Sequence, residues 1–289
     1  MKQVLLTGSS SGFGLLAVKT LAAKGHKVYA TMRNVNGANA GAARDIRDWA
    51  KNTGAKVDVV ELDVTSDGSV AKAIETVLAA SGGRIDVLIN NAGISFLGIS
   101  ETLTVDQSNQ LFQVNTLGAD RLIRAVLPVM HQQKEGLIIN VTSVQARNHV
   151  PLLNVYNATK AALDALSVGY HYELRSSGID VAVIQPGGYP TTDIVNKGIK
   201  AGNPEAQKYY GQDMQTVKAA LDYYFTPKAD SPDPQPVADK MLELVEAKRG
   251  ERPLWSLVGA GPLEAYFDQV NQITKTIVDT MVNSMTAPV

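Results

Sequence analysis

Apolar residues gather along this chain in short, nearly unbroken runs at 3–6, 28–31, 57–62, 87–90, 137–141, 181–185 and 254–258. The runs are rich in Val, Ile and Leu and show no strict alternation with polar residues, the pattern of parallel strands covered on both faces. Between them, apolar residues return at helical spacing over 14–24, 42–52, 69–80, 105–130 and 154–176, and again over 237–248 and from 263 to about 282. Strand and helix therefore alternate, which predicts βαβ units and an α/β fold.

The alternation breaks after Gln185. Residues 186–225 hold no clear strand, and 227–236 carries Pro227, Pro232, Pro234 and Pro236. We expect one domain across 1–289, with 190–236 as an inserted loop or lid that shapes a substrate site. With 289 residues and 45% hydrophobic content, the chain can bury a large single core.

Composition removes several chemistries. There is no cysteine, so disulfides, thiolate nucleophiles and cysteine metal sites are excluded. The four histidines, His26, His131, His149 and His171, are dispersed without metal-ligand spacing, so no metal is expected. A net charge of −1 and scattered Lys and Arg offer no footprint for nucleic acid or an anionic membrane. The first strand begins close to Met1 and no run is long enough to span a bilayer, so a cytoplasmic location is expected.

Between the first strand and its helix lies Thr7-Gly8-Ser9-Ser10-Ser11-Gly12-Phe13-Gly14. Glycines in such a turn let backbone amides approach a pyrophosphate, and the helix N-terminus adds favourable partial charge. By itself this is equally the composition of an ordinary turn. At the end of the second strand, where NAD binders place an acid for the ribose 2′-hydroxyl, Arg33 stands instead. A guanidinium suits a 2′-phosphate, so NADP(H) is the expected cofactor; the bland alternative is a solvated surface arginine.

Tyr156 and Lys160 stand one helical turn apart, downstream of Ser143, in a stretch without proline. A lysine ammonium beside a tyrosine favours the phenolate and makes a proton donor and acceptor. The chain contains a second pair at this spacing, Tyr224 and Lys228, but Pro227 sits inside it and opposes a continuous helix. Ser143 reads equally as a serine ending a strand, Asn115 as a helix residue bonded to nearby backbone, and Asp63 as a turn or cap residue. His149 could line a pocket or sit in solvent, and Tyr209, Tyr210, Tyr223, Tyr224 and Phe225 could cap an apolar substrate or pack between helices.

Taken in order, these segments resemble the short-chain dehydrogenase/reductase family over essentially the whole chain. The turn matches T-G-x-x-x-G-x-G, Asn90-Asn91-Ala92-Gly93 matches N-N-A-G, and Pro186-Gly187 followed by Thr191 matches the P-G motif with its threonine. The resemblance extends, less specifically, to the branch with hydroxysteroid and retinol dehydrogenases and bacterial ketoreductases. It implies a Rossmann fold: a doubly wound, parallel seven-stranded sheet flanked by helices, with a small helical substrate lid. It implies cofactor contacts from Gly8, Ser10, Ser11, Gly12, Phe13, Gly14, Arg33, Asp63, Val64, Asn91, Ala92, Gly93, Tyr156, Lys160, Pro186, Gly187 and Thr191. It also implies a catalytic tetrad of Asn115, Ser143, Tyr156 and Lys160, with Asn115 supporting a water chain to Lys160. Gly188-Tyr189-Pro190 departs from the usual filling of the substrate wall.

The expected activity is reversible reduction of a ketone or aldehyde, with Tyr156 as general acid and base. The expected substrate is a moderately hydrophobic small-molecule carbonyl or alcohol. A homodimer or homotetramer is expected through the helices carrying Asn115 and Tyr156, where Ala158, Ala162, Ala165 and Gly169 permit close approach. Three alternatives use the same fold: a nucleotide-binding regulator, an NAD-dependent epimerase or dehydratase, and an acyl-carrier-linked ketoacyl reductase. The retained Tyr156 and Lys160 oppose the first, Arg33 the second, and the long C-terminal part the third.

Overall fold

The computed structural model describes residues 1–192 and 194–286. Seven strands, β1 (Gln3–Thr7), β2 (Lys27–Met32), β3 (Val57–Glu61), β4 (Val87–Asn90), β5 (Gly136–Val141), β6 (Ile179–Pro186) and β7 (Trp255–Val258), form one sheet in the order β3-β2-β1-β4-β5-β6-β7. All neighbours pair in parallel. Winding therefore reverses between β1 and β4, and the crevice at their C-terminal ends is where such sheets bind ligands.

The strands lack alternation because both faces are dry. Val4 and Leu6 of β1 enter one core with α1 (Gly12–Ala23), α2 (Ala40–Thr53) and α8 (Gln235–Glu246). Leu5 enters the other, with α3 (Asp67–Ser81), the helix at Gly118–Gln133 and the end of the helix Asn154–Leu174. Fully burying a Leu or Val stabilises by about 1.5–3 kcal/mol, so these two layers supply the main driving force for the fold.

The single helix expected over 105–130 is three pieces: α4 (Val105–Phe112), a π-helical turn at Gln113–Leu117, and α5 (Gly118–Gln133). Two contacts from outside the helix accompany the widened turn. A Cβ on Gly118 would lie 2.8 Å from the Val64 side chain, and Asn115 in the turn bonds backbone outside the helix. Such turns concentrate at functional sites. After α6 (Asn154–Leu174) and β6, the span expected to form a lid contains short 3-10 turns at Pro190–Thr192 and Pro204–Tyr209 and then α7 (Gln212–Phe225). The chain closes with α8, β7 and α9 (Glu264–Thr286). Among the described residues no helix is long and apolar enough to cross a membrane, and no group of three side chains is placed to hold a metal.

Candidate active site

The end of β1 and the end of β4 are tied together by side chains. Thr7 Oγ1 accepts from the backbone of Asn91 and Ala92, each at 3.0 Å, and Asn91 Nδ2 donates to the Thr7 and Gly8 carbonyls at 3.0 Å. Gly8 adopts φ +69°, and a Cβ there would meet Ala92 Cα at 2.7 Å. A Cβ on Gly14 would sit 2.2 Å from the Gly8 carbonyl oxygen. The turn is thus packed too closely for side chains, which leaves backbone amides facing the groove. Helix α1 begins without a capping side chain and without an acid in its first turn, so its free N–H groups suit an anion.

That groove encloses about 540 Å³ and is lined by Gly8, Ser10, Ser11, Gly12, Phe13, Arg33, Asp63, Val64, Asn91, Ala92 and Gly93, all residues singled out in the sequence. Arg33 is exposed at its rim. Glu61, opposite Met32 on the adjacent strand β3, accepts from Asn34 N at 2.7 Å and Val35 N at 2.9 Å, so its carboxylate is already engaged by backbone. Asp63 accepts from Thr65 N and Oγ1 at 2.9 and 2.7 Å, a turn role that coexists with its place on the groove wall.

A second, smaller cavity of about 80 Å³ lies deeper. It shares Phe13, Asn91, Gly93, Thr192 and Ile194 with the groove, so the two are continuous. Ser143, Tyr156, Lys160, Pro186 and Gly187 all line it. Strand β5 delivers Ser143, and the proline-free α6 presents Tyr156 and Lys160 on one face, with the Lys160 ammonium 5.7 Å from the tyrosine ring centre. Lys160 is 3% exposed and donates to the Val141 carbonyl at 2.9 Å.

Electrostatics differ here from the sequence expectation. Burial pushes Tyr156 up to about 12, with a hydrogen bond to Ser143 acting in the opposite direction. Burial also lowers Lys160 to about 8. Desolvation thus outweighs the attraction between ammonium and phenolate in the protein by itself, and Tyr156 holds its proton at neutral pH. That is the form able to protonate an alkoxide.

Asn115 is 1% exposed. Its Oδ1 accepts from Ile94 N at 2.9 Å, and its Nδ2 donates to Ile94 O at 2.9 Å and Thr159 Oγ1 at 3.0 Å. A Cβ on Gly93 would lie 3.4 Å from Asn115 Oδ1 and 3.6 Å from Lys160 Nζ, which places both groups against the same glycine. Asn115 therefore bonds backbone 21 residues away at Ile94, not the nearby backbone of its own helix, and lies beside Lys160 at Gly93.

One expected contact moves. Thr191 is exposed and lines neither cavity, whereas Thr192 is buried and lines both, because the 3-10 turn at Pro190–Thr192 rotates the second threonine inward, where its hydroxyl donates to Tyr189 O at 2.8 Å. His149 is exposed and lines neither. Of the aromatics, Phe225 reaches the deep cavity, Tyr224 packs over Gly188, and Tyr209 and Tyr223 face solvent. Sequence reasoning passed over Ser95, Gln145 and Leu153, which also line the deep cavity; no spacing rule marks them. Tyr189, a departure from the expected wall, packs edge-on to Phe13 with ring centres 5.3 Å apart.

Behind the cavity a closed polar network joins four elements. Asp164 of α6 accepts from Arg147 at 2.7 Å, Gln185 at 2.8 Å and Trp255 at 3.1 Å, while Asn271 of α9 accepts from Arg147 at 3.0 Å and donates to Gln185 at 2.7 Å. Another cavity, of about 920 Å³, lies at the opposite end of the sheet among Lys134, His171 and Arg175. Lys134 and Arg175 sit at the C-terminal ends of α5 and α6, where their charges offset exposed carbonyls.

Residues 2–201 match the family model described as short chain dehydrogenase. The chain belongs to that family. It is 32% identical over 215 residues to a 3-ketodihydrosphingosine reductase of Bacteroides thetaiotaomicron, covering 74% of each chain. It is 30% identical over 257 residues to retinol dehydrogenase 8 of Bos taurus, covering 86% of this chain and 79% of the other. A crystal structure of a short-chain dehydrogenase from Streptomyces avermitilis aligns over 100% of both chains with a TM-score of 0.76 and 25% identity. Structures of similar fold include a metagenomic short-chain oxidoreductase in complex with NADP (TM-score 0.68, 24% identity, 89% of this chain and 96% of the other). Another, from Burkholderia phymatum, is in complex with NAD (TM-score 0.75, 23% identity, 95% of each chain). Family membership makes this chain an oxidoreductase that uses a nicotinamide cofactor.

Proposed function

We propose that the chain reduces a ketone or aldehyde to an alcohol, reversibly, using NADP(H) and Tyr156 as general acid and base. The observation that carries the reading is the meeting of Ser143, Tyr156 and Lys160 in one cavity continuous with the glycine-lined groove. The groove fits a dinucleotide: α1 offers uncapped amides, Gly8 and Gly14 sit where a Cβ would clash, and Arg33 at the rim matches a 2′-phosphate while the Glu61 carboxylate is held by backbone.

When bound, the nicotinamide supplies the hydride in reduction and takes it up in oxidation. Ser143 Oγ donates to the carbonyl oxygen and stabilises charge as it develops there. Tyr156 transfers its phenolic proton to that oxygen, completing the alcohol, and recovers a proton from solvent. Lys160, cationic below about pH 8, stabilises the phenolate left behind. Asn115 holds the backbone of Ile94 beside Gly93 and so fixes the wall against which Lys160 sits.

Val144, Leu153, Tyr189, Ile194, Val195 and Phe225 give the cavity an apolar lining, which suits a moderately hydrophobic small molecule. Exposed Ala158, Ala165 and Gly169 leave one face of α6 open to a second copy, so a homodimer or homotetramer is part of the proposal, as is a cytoplasmic location for a chain without cysteine. The test is oxidation of NADPH and NADH over a panel of ketones, aldehydes and retinal, comparing the parent with Tyr156→Phe. We expect NADPH to be preferred and the variant to lose about 10²–10⁴-fold in turnover while still binding nucleotide. Absence of any carbonyl turnover, or full activity in the variant, would refute the reading.

A further inference from the structure

The cavity of about 920 Å³ at the far end of the sheet takes no part in the chemistry above, yet its wall is predominantly cationic. Lys134, Arg175, Arg249, Arg252 and Lys275 line it against two acids, Asp180 and Asp279. Both acids are already paired. Asp180 accepts from Arg252 at 2.6 Å and from Gly250 N at 2.9 Å, while Asp279 accepts from Lys275 and, at 2.7 Å, from Tyr172. With those two ion pairs cancelled, three cations remain on one wall of a chain whose net charge is −1.

The three are Lys134, Arg175 and Arg249, all exposed and none in a side-chain hydrogen bond or ion pair among the described residues. Arg175 influences Asp279 through space. Lys134 and Arg175 cap α5 and α6, and each helix C-terminus contributes about −0.5 charge, so about +2 is left after both are counted. Gly178 brings the segments together. Arg175 opens the 3-10 turn that ends at this glycine, whose φ is +77°. A Cβ on Gly178 would lie 2.4 Å from the Lys134 carbonyl oxygen and 3.0 Å from the Arg249 guanidinium, so the missing side chain lets the segments ahead of β5 and β7 close on the start of β6.

We propose that this cavity is a second binding site, for a small molecule bearing a di- or triphosphate, held by Lys134, Arg175 and Arg249. Isolated surface charges attract weakly, but a concave wall of one sign concentrates its field, and the volume is that of a small-molecule site. Two of the three groups are guanidiniums, whose planar forks match phosphate oxygens in pairs. The site is separate from the nucleotide groove. Arg175 caps the end of α6 away from Tyr156, about 28 Å along the axis at 1.5 Å per residue. The inference does not depend on the reductase reading.

The experiment titrates the full chain calorimetrically with tripolyphosphate and with inorganic phosphate at one fixed ionic strength, with and without saturating NADPH. Arg249→Glu and Arg175→Glu reverse charge inside the cavity, Arg249→Gln removes it without reversal, and Lys72→Glu reverses it on an exposed part of α3. We expect one tripolyphosphate per chain with NADPH present, bound about tenfold or more tighter than phosphate. Either reversal in the cavity should weaken it about tenfold or more, Arg249→Gln by less, and Lys72→Glu should leave it unchanged. Because Arg249 is exposed and makes no hydrogen bond, both of its variants should melt close to the parent. No binding heat at millimolar tripolyphosphate would overturn the inference, as would an affinity no better than that of phosphate. Equal weakening by Lys72→Glu would reduce the effect to general attraction, and binding abolished by NADPH would assign it to the nucleotide groove; either result also overturns the proposal.

Discussion

Replacing Lys160 with methionine should make the protein more stable while removing its activity. The ammonium is 3% exposed, makes one hydrogen bond to the Val141 carbonyl, and is lowered from 10.5 to about 8 by burial alone. Between those two values the unfolded chain binds more protons than the folded one, so stability rises with pH across that window and the destabilisation is fully present below about pH 8. The gap corresponds to ~3 kcal/mol at neutral pH. Methionine fills similar space without charge; losing the bond to Val141 returns about 1 kcal/mol, which leaves a net gain of ~2 kcal/mol. Urea unfolding without added nucleotide, near pH 7 and again near pH 9.5, measures both terms. The parent should gain ~2 kcal/mol over that interval through this group and the variant should lack the gain. A variant less stable than the parent at pH 7, or one with the parent's pH slope, would refute the claim that burial governs this lysine.

Three other outcomes are expected. Gly14→Ala puts a methyl 2.2 Å from the Gly8 carbonyl and should lower nucleotide affinity at least tenfold together with stability, read by fluorescence titration and thermal melting. Arg33→Asp should reverse the cofactor preference, raising KM for NADPH by about two orders of magnitude while sparing or improving use of NADH, seen in paired steady-state assays. Leu122→Ala, at a fully buried position of α5, should cost about 2–5 kcal/mol in urea unfolding without altering cofactor preference.

The strand runs and the glycine turn were legible because each is a local pattern with one physical meaning: parallel strands buried on both faces, and backbone crowding at Gly8 and Gly14. The pair Tyr156 and Lys160 was legible for the same reason, being one turn of one helix. The break at Gln113–Leu117 was hidden, since Val64, which fills the space beside Gly118, is far away in sequence. Thr192 taking the place expected of Thr191 depends on how a 3-10 turn rotates the chain, which adjacent identical residues cannot report. The direction of the Tyr156 displacement also required the fold, because spacing shows a nearby charge but not how dry its surroundings are.

The polar network behind the cavity makes the C-terminal helix part of the reactive edge. Asn271 lies outside residues 2–201, the stretch that carries the family pattern, yet it holds Arg147, which follows Ser143 by one turn, and Gln185, which precedes the Pro186-Gly187 wall. Removing α9 would take away the Asn271 partner of Arg147 Nε and Gln185 Oε1, at about 1–3 kcal/mol each, while both side chains keep their bonds to Asp164. Trimming this protein to its recognisable family segment would therefore discard the clamp that keeps its serine in register.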